Sequence, residues 1–92
     1  MYTISRTTGF KKALKRCIKR GLDINSLEKV IRILVETGSL PLEYKPHRLN
    51  AKFNFAWECH IQPDCLLVWE QDDTELTLLF INTGTHSDIF NK

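Results

Sequence analysis

The chain has little of what marks a specialised class. Three cysteines, Cys17, Cys59 and Cys65, make an odd count in 92 residues. That suits a reducing compartment better than a disulfide framework. No C-x-x-C or H-x-x-x-H spacing points to a metal, and none is expected. Four glycines and three prolines leave no linker, repeat or low-complexity stretch. Residues 1–92 are therefore expected to form one domain, with a small but usable core. The longest apolar runs, Cys65–Trp69 and Leu78–Ile81, fall far short of the roughly 20 residues a membrane span needs. No apolar stretch follows a basic start after Met1-Tyr2-Thr3, so no signal peptide is read there. A soluble, cytoplasmic protein without a membrane partner is expected. With 42% hydrophobic and 26% charged residues, the chain is globular rather than disordered.

Net charge is also scarce, at +2, but the figure hides an asymmetry. Residues 1–50 hold eleven Lys/Arg against four Asp/Glu; residues 51–92 hold two against seven. The halves thus carry +7 and −5, which points to a polyanionic or acidic partner near one end. A solvated helix face is the plainer explanation of the same charges.

Two helices and a set of strands are legible. Tyr2–Arg6 is a short β-prone start. Phe10, Leu14, Cys17 and Ile18 then follow helical spacing, with Thr7 or Thr8 as the cap and Gly21 as the stop. The opposite face carries Lys11, Lys12, Lys15, Arg16, Lys19 and Arg20. A second helix has the stripe Ile24, Leu27, Ile31, Leu34 and Val35 and ends at Gly38. Asp23 or Asn25 can cap it, and Asn25-x-x-Glu28 resembles a capping box.

After a segment punctuated by Pro41 and Pro46, the period changes to two. Phe53, Phe55, Trp57, Cys59 and Ile61 alternate with Asn54, Ala56, Glu58, His60 and Gln62, as in a half-buried strand. Gln62-Pro63-Asp64 is a turn, Leu66–Glu70 a buried strand, Gln71–Thr74 an acidic turn and Leu76–Asn82 a last strand. The expected class is α+β, in the order β-α-α-β-β-β: an antiparallel sheet with an N-terminal helical hairpin on one face.

The chain's three histidines, His47, His60 and His86, each fall at an element edge or in a loop, and Asp64 lies in the turn after the histidine-bearing strand. If the odd positions of that strand face the helices, His60 and Glu58 stand together on the open face. Adjacent Cys59 and His60 point to opposite faces and do not share an ion easily. Cys59 and Cys65 look inward-facing, unlike exposed low-pKa nucleophiles. General acid–base chemistry remains, since histidine titrates near pH 6.5. Metal-free RNA cleavage needs such a set: a base for the 2′-hydroxyl, an acid for the leaving 5′-oxygen, and positive charge at the phosphorane. Lys45 and Arg48 can supply charge, and Phe90 can stack on an unpaired base; packing back on the sheet is an equal alternative for Phe90.

Cys59-His60-Ile61-Gln62-Pro63-Asp64, a Leu/Val-rich strand, and Thr83-Gly84-Thr85-His86-Ser87-Asp88-Ile89-Phe90 together resemble the signature of the YafQ-like toxins, in the RelE/ParE superfamily of toxin–antitoxin systems. The segment Leu42–Leu49 is similar to the loop before the family's second strand. The resemblance implies a cofactor-free, ribosome-dependent endoribonuclease that cuts messenger RNA and arrests translation. It implies His86 as general acid, His47 or His60 as base, and Asp64 orienting or sharing that role. Phe90 falls on the family's tail aromatic. The Lys11–Arg20 face would meet ribosomal RNA, and the protein partner would be a small antitoxin. The chain departs from the family pattern at Asn82, where an arginine is usual, at Cys65, where a tryptophan or other bulky apolar residue is usual, and at Ala56-Trp57. Transition-state charge would then rest on Arg48 or Lys45. Two other readings are a ParE-like topoisomerase poison without nuclease activity and a weakened relative that binds antitoxin or operator.

Overall fold

The computed structural model describes residues 1–90. Five strands form one sheet in the order β1-β5-β4-β3-β2. They are β1 (Thr3–Arg6), β2 (His47–Arg48), β3 (Trp57–Gln62), β4 (Cys65–Asp72) and β5 (Thr77–Gly84). Helix α1 (Thr8–Lys19) lies along β5, and α2 (Ile24–Thr37) approaches β3. A short helix, α3 (His86–Phe90), follows β5.

The sheet is mixed rather than antiparallel. β2 to β5 run antiparallel to their neighbours, but β1 pairs parallel with β5, Thr3 opposite Thr77 and Arg6 opposite Phe80. The helical pair is the crossover that makes this possible: it carries the chain away from the β1 edge, and the meander returns to place β5 beside it.

The caps explain where the helices begin. The Thr7 side chain accepts from the Phe10 amide, and Asp23 accepts from the Asn25 amide. Asp23, not Asn25, is therefore the cap of α2, and the Asn25-x-x-Glu28 box does not form. Gly38 ends α2 at φ 73°, where a Cβ would meet the Tyr2 ring at 2.5 Å. Phe10, Ala13 and Cys17 of α1 and Leu27, Val30 and Leu34 of α2 are buried. Ile18 and Ile24, placed in the apolar stripes by their spacing, remain exposed.

The expected strand Phe53–Ile61 starts only at Trp57. Ala51–Phe53 is a 3₁₀ turn, capped by the Asn50 side chain, and Asn54 and Phe55 both take positive φ. That double left-handed step ends the alternation: Phe55 is exposed, whereas Trp57, Cys59 and Ile61 join or flank the core as expected.

The tail after β5 forms a short helix. Thr85 Oγ1 accepts from the Asp88 amide while Asp88 Oδ2 accepts from the Thr85 amide, a reciprocal capping box. Oδ2 also takes a hydrogen bond from Arg20 at 2.6 Å and lies 3.7 Å from Arg16, so α3 is clamped to α1. Gly84 makes room for this, since a Cβ there would stand 2.7 Å from Asp88 Oδ2. The Thr85 amide, and then Arg20, hold the Asp88 carboxyl below its ordinary range. A carboxyl so lowered stabilises the fold above the ordinary carboxylate range, and that contribution disappears as pH falls through its folded value. Asp88→Ala should cost about 1–2 kcal/mol in urea denaturation at neutral pH. The difference from the parent should shrink in acid; a difference independent of pH would mean that the carboxylate charge is not what anchors α3.

Candidate active site on the second face of the sheet

Strand pairing assembles the site in two rows. In one row, His47 of β2 lies opposite Glu58 of β3, Glu58 opposite Val68 of β4, and Val68 opposite Asn82 of β5. In the next, His60 lies opposite Leu66, and Leu66 opposite Gly84. Cross-strand partners share a face, and residues two apart on one strand do too, so all seven positions lie on the side away from α1 and α2. At ordinary strand spacing the first row, of four strands, spans about 14 Å and the second, of three, about 10 Å. His86 follows Gly84 by two residues, at the start of α3. His47 and His60 are thus brought to one face with buried Leu66 and Val68, and His86 stands just beyond the end of the second row.

An aromatic group borders this face. Phe90 meets Phe53 edge-on with ring centroids 5.2 Å apart, and His86 packs 4.7 Å from Phe90. The tail aromatic therefore packs back on the protein and at the same time touches a site histidine. Lys52 places its ammonium 5.8 Å from the Phe53 ring.

The remaining sequence candidates are distributed differently. Asp64 is exposed in the β3–β4 turn and lines a cleft of ≈ 290 Å³ with Gln62, Cys65, Gly84, Thr85 and Arg20. Among the described residues, no hydrogen bond joins it to a histidine; it stands at the edge of the set. The Lys45 side chain is exposed, and its carbonyl faces His47 Nδ1 at 3.1 Å. Arg48 donates through both Nε and Nη2 to the Phe55 carbonyl and lies over the Trp57 ring, 5.5 Å from its centroid. Its guanidinium holds its own turn in place. Asn82 uses Oδ1 to accept from the Thr83 amide. Of the basic helix face, Lys11, Lys12, Lys15 and Lys19 are exposed, while Arg16 and Arg20 hold Asp88.

Thiol chemistry finds no support. Burial pushes the Cys59 thiol up to about 12, and burial raises Cys65 as well. A thiol is nucleophilic as its thiolate, which both settings disfavour.

Sequence reasoning missed Glu58 as a site residue. It is buried to 2% exposure, with Oε1 3.1 Å from His47 Nε2. The alternation places it beside His60 on the open face, but its partner sits on β2. That strand is two residues long and leaves no periodic signal.

Known proteins share this chain's fold and about a third of its sequence. The model of the YafQ family, bacterial toxins of type II toxin–antitoxin systems, matches residues 2–91. The mRNA interferase toxin YafQ of Escherichia coli (strain B / BL21-DE3) is 34% identical over 82 residues, covering 88% of this chain and 87% of that protein. A metal-bound toxin from Helicobacter pylori superposes with a TM-score of 0.87 at 38% identity, covering 98% of this chain and all of that one. The E. coli DinJ–YafQ complex contains a chain that superposes equally well, at 31% identity over 98% of this chain and 99% of that chain. With the family's model matched along nearly its whole length and the family's fold, this chain belongs to the YafQ family of type II toxins.

Proposed function

We propose that this toxin is an mRNA interferase that cleaves the phosphodiester backbone on the ribosome by general acid–base catalysis, with the histidine face as its active site. The observation that carries this reading is the pairing that puts His47 and His60 on one face of the sheet, with His86 starting α3 just beyond the end of the second row. The relatives named mRNA interferase supply the reaction class.

In the proposed reaction the 2′-hydroxyl loses its proton as it attacks phosphorus, and the 5′-oxygen gains one as it leaves. His86, exposed at the start of α3 and in contact with Phe90, is the acid. The base belongs to His60 or His47 in the two rows, with Asp64 in the turn that follows the His60 strand. Lys45 and Lys52 are cations available to the phosphate, whereas Arg48 first has to leave its turn. Phe90 and Phe53 offer an aromatic surface for an unpaired base.

A cognate antitoxin is the protein partner, as DinJ is for the E. coli relative. Docking to ribosomal RNA falls to the exposed lysines of α1. No helix among the described residues is long and apolar enough to cross a membrane. The proposed place of action is the cytoplasm, where translating ribosomes are.

His86→Ala should lower mRNA cleavage on translating ribosomes by about a hundredfold or more and relieve growth arrest, with antitoxin binding retained. A variant as toxic as the parent rules out His86 as the acid. Charge reversal at Lys11, Lys12, Lys15 and Lys19 should weaken ribosome binding and flatten its dependence on salt by about 0.7–0.9 in log–log slope per lost phosphate contact. An unchanged slope moves the ribosome-binding surface away from α1.

A further inference from the structure

Glu58 is withdrawn from solvent on the face that carries the histidines. Its Oε2 meets no hydrogen-bond partner among the described residues, and Oε1 meets only the His47 ring. An acid taken out of water with an oxygen unmet is costly as an anion unless positive charge lies beside it.

The His47 ring decides where such charge can come from. Nδ1 faces the Lys45 carbonyl oxygen and Nε2 faces Glu58 Oε1, each at 3.1 Å. A carbonyl only accepts, and so does an ionised carboxylate. A neutral imidazole has a single N–H and cannot donate in both directions. Both contacts are made, with Glu58 ionised, when both ring nitrogens carry protons.

The surroundings leave this pairing local. Val68 of β4, on the other flank of Glu58, is uncharged. His60 lies two residues along the same face of β3, and Arg48 is turned to the Phe55 carbonyl. The 3₁₀ turn Leu42–Tyr44, which also packs on β3, brings Glu43, which is exposed. The His47 side chain is half exposed while Glu58 is covered, so the ring faces outward and the carboxylate lies behind it.

We propose that Glu58 is a positioning residue that holds His47 as an imidazolium at neutral pH, so that His47 presents charge to the scissile phosphate and proton abstraction falls to His60. The inference rests on the RNA-cleaving reading of the site and fixes a division of labour within it. With both nitrogens protonated, His47 has no lone pair with which to take a proton from the 2′-hydroxyl. Its outward face can stabilise the phosphorane instead.

The state of the ring is measurable without RNA. Long-range ¹H–¹⁵N spectra of the full toxin at neutral pH should show both His47 nitrogens protonated. Glu58→Gln, close in shape, should leave one of them bare while the amide spectrum stays folded. A parent ring with a single protonated nitrogen overturns the proposal, whether the proton has gone to Glu58 or to solvent. Should Glu58→Gln not fold, the parent spectrum still decides. On translating ribosomes, Glu58→Gln should slow cleavage about tenfold or more, yet add nothing to His47→Ala. Equal losses in both backgrounds would make Glu58 structural only and overturn its positioning role. A parent that folds and shows the doubly protonated ring but cleaves no mRNA refutes the enzymatic reading instead.

Discussion

Strand β4 has to be covered on both faces. Leu66, Leu67, Val68 and Trp69 are consecutive and all nearly inaccessible, so two point toward the helices and two point away. An antiparallel sheet of a small protein can leave one face to water, but not with such a central strand. The helical pair buries Leu67 and Trp69 with Phe10, Leu27, Val30 and Leu34. The opposite face needs a second layer, and the chain has only short pieces left to build it. Those pieces are the 3₁₀ turn bearing Phe53 and α3 bearing His86 and Phe90, while the two-residue strand β2 only extends the sheet's edge. The elements placed around Leu66 and Val68 are therefore the ones that carry the candidate chemistry.

This division explains what could be read in advance. The helix faces and the inward set Trp57, Cys59 and Ile61 follow from periodicity, because a large core imposes it along several turns or residue pairs. The second layer and the edge strand β2 are built from pieces of two to five residues, too short for any period to register. Phe53 and Phe55 fit the alternation yet lie in a turn, since a pattern of side chains does not reveal positive φ at Asn54 and Phe55. The parallel pairing of β1 is a long-range outcome of the crossover, invisible in four residues. One signal did lie in plain view: Thr85-x-x-Asp88 is a capping-box spacing, and it marks the start of α3. The histidines themselves were legible as candidates because each sits at an element edge, and strand pairing puts His47 and His60 on one face. Asp64 lines a neighbouring cleft and makes no hydrogen bond to any of them among the described residues.

The charge asymmetry also acquires a physical arrangement. A site for a polyanion has to manage the carboxylates of the acidic half, each of which repels phosphate. Asp88 is met by Arg20 and Arg16, which removes two cations from the helix face and one anion from the neighbourhood of His86. Glu58 lies behind the His47 ring and is shielded by burial. Only Asp64 of these three acids stands exposed, at the rim of the cleft.

The same contacts bind chemistry to architecture. The arginines of α1 fix α3, so the basic half positions the acid proposed in the acidic half. Arg16 and Arg20 consequently differ in role from Lys11, Lys12, Lys15 and Lys19, although all six belong to one helix and one run of charge. Changing a lysine removes a charge from the surface; changing Arg20 removes a support from the His86 helix as well. Loss of activity on altering the arginines is therefore no evidence for RNA contact, and the lysines alone are the clean probe of a ribosome-binding face. Asn82 fits the same logic. A residue there that carried charge would stand in the His47–Glu58–Val68 row, whereas Asn82 is occupied with the Thr83 amide. The positive charge of that row must then come from its other end, at His47.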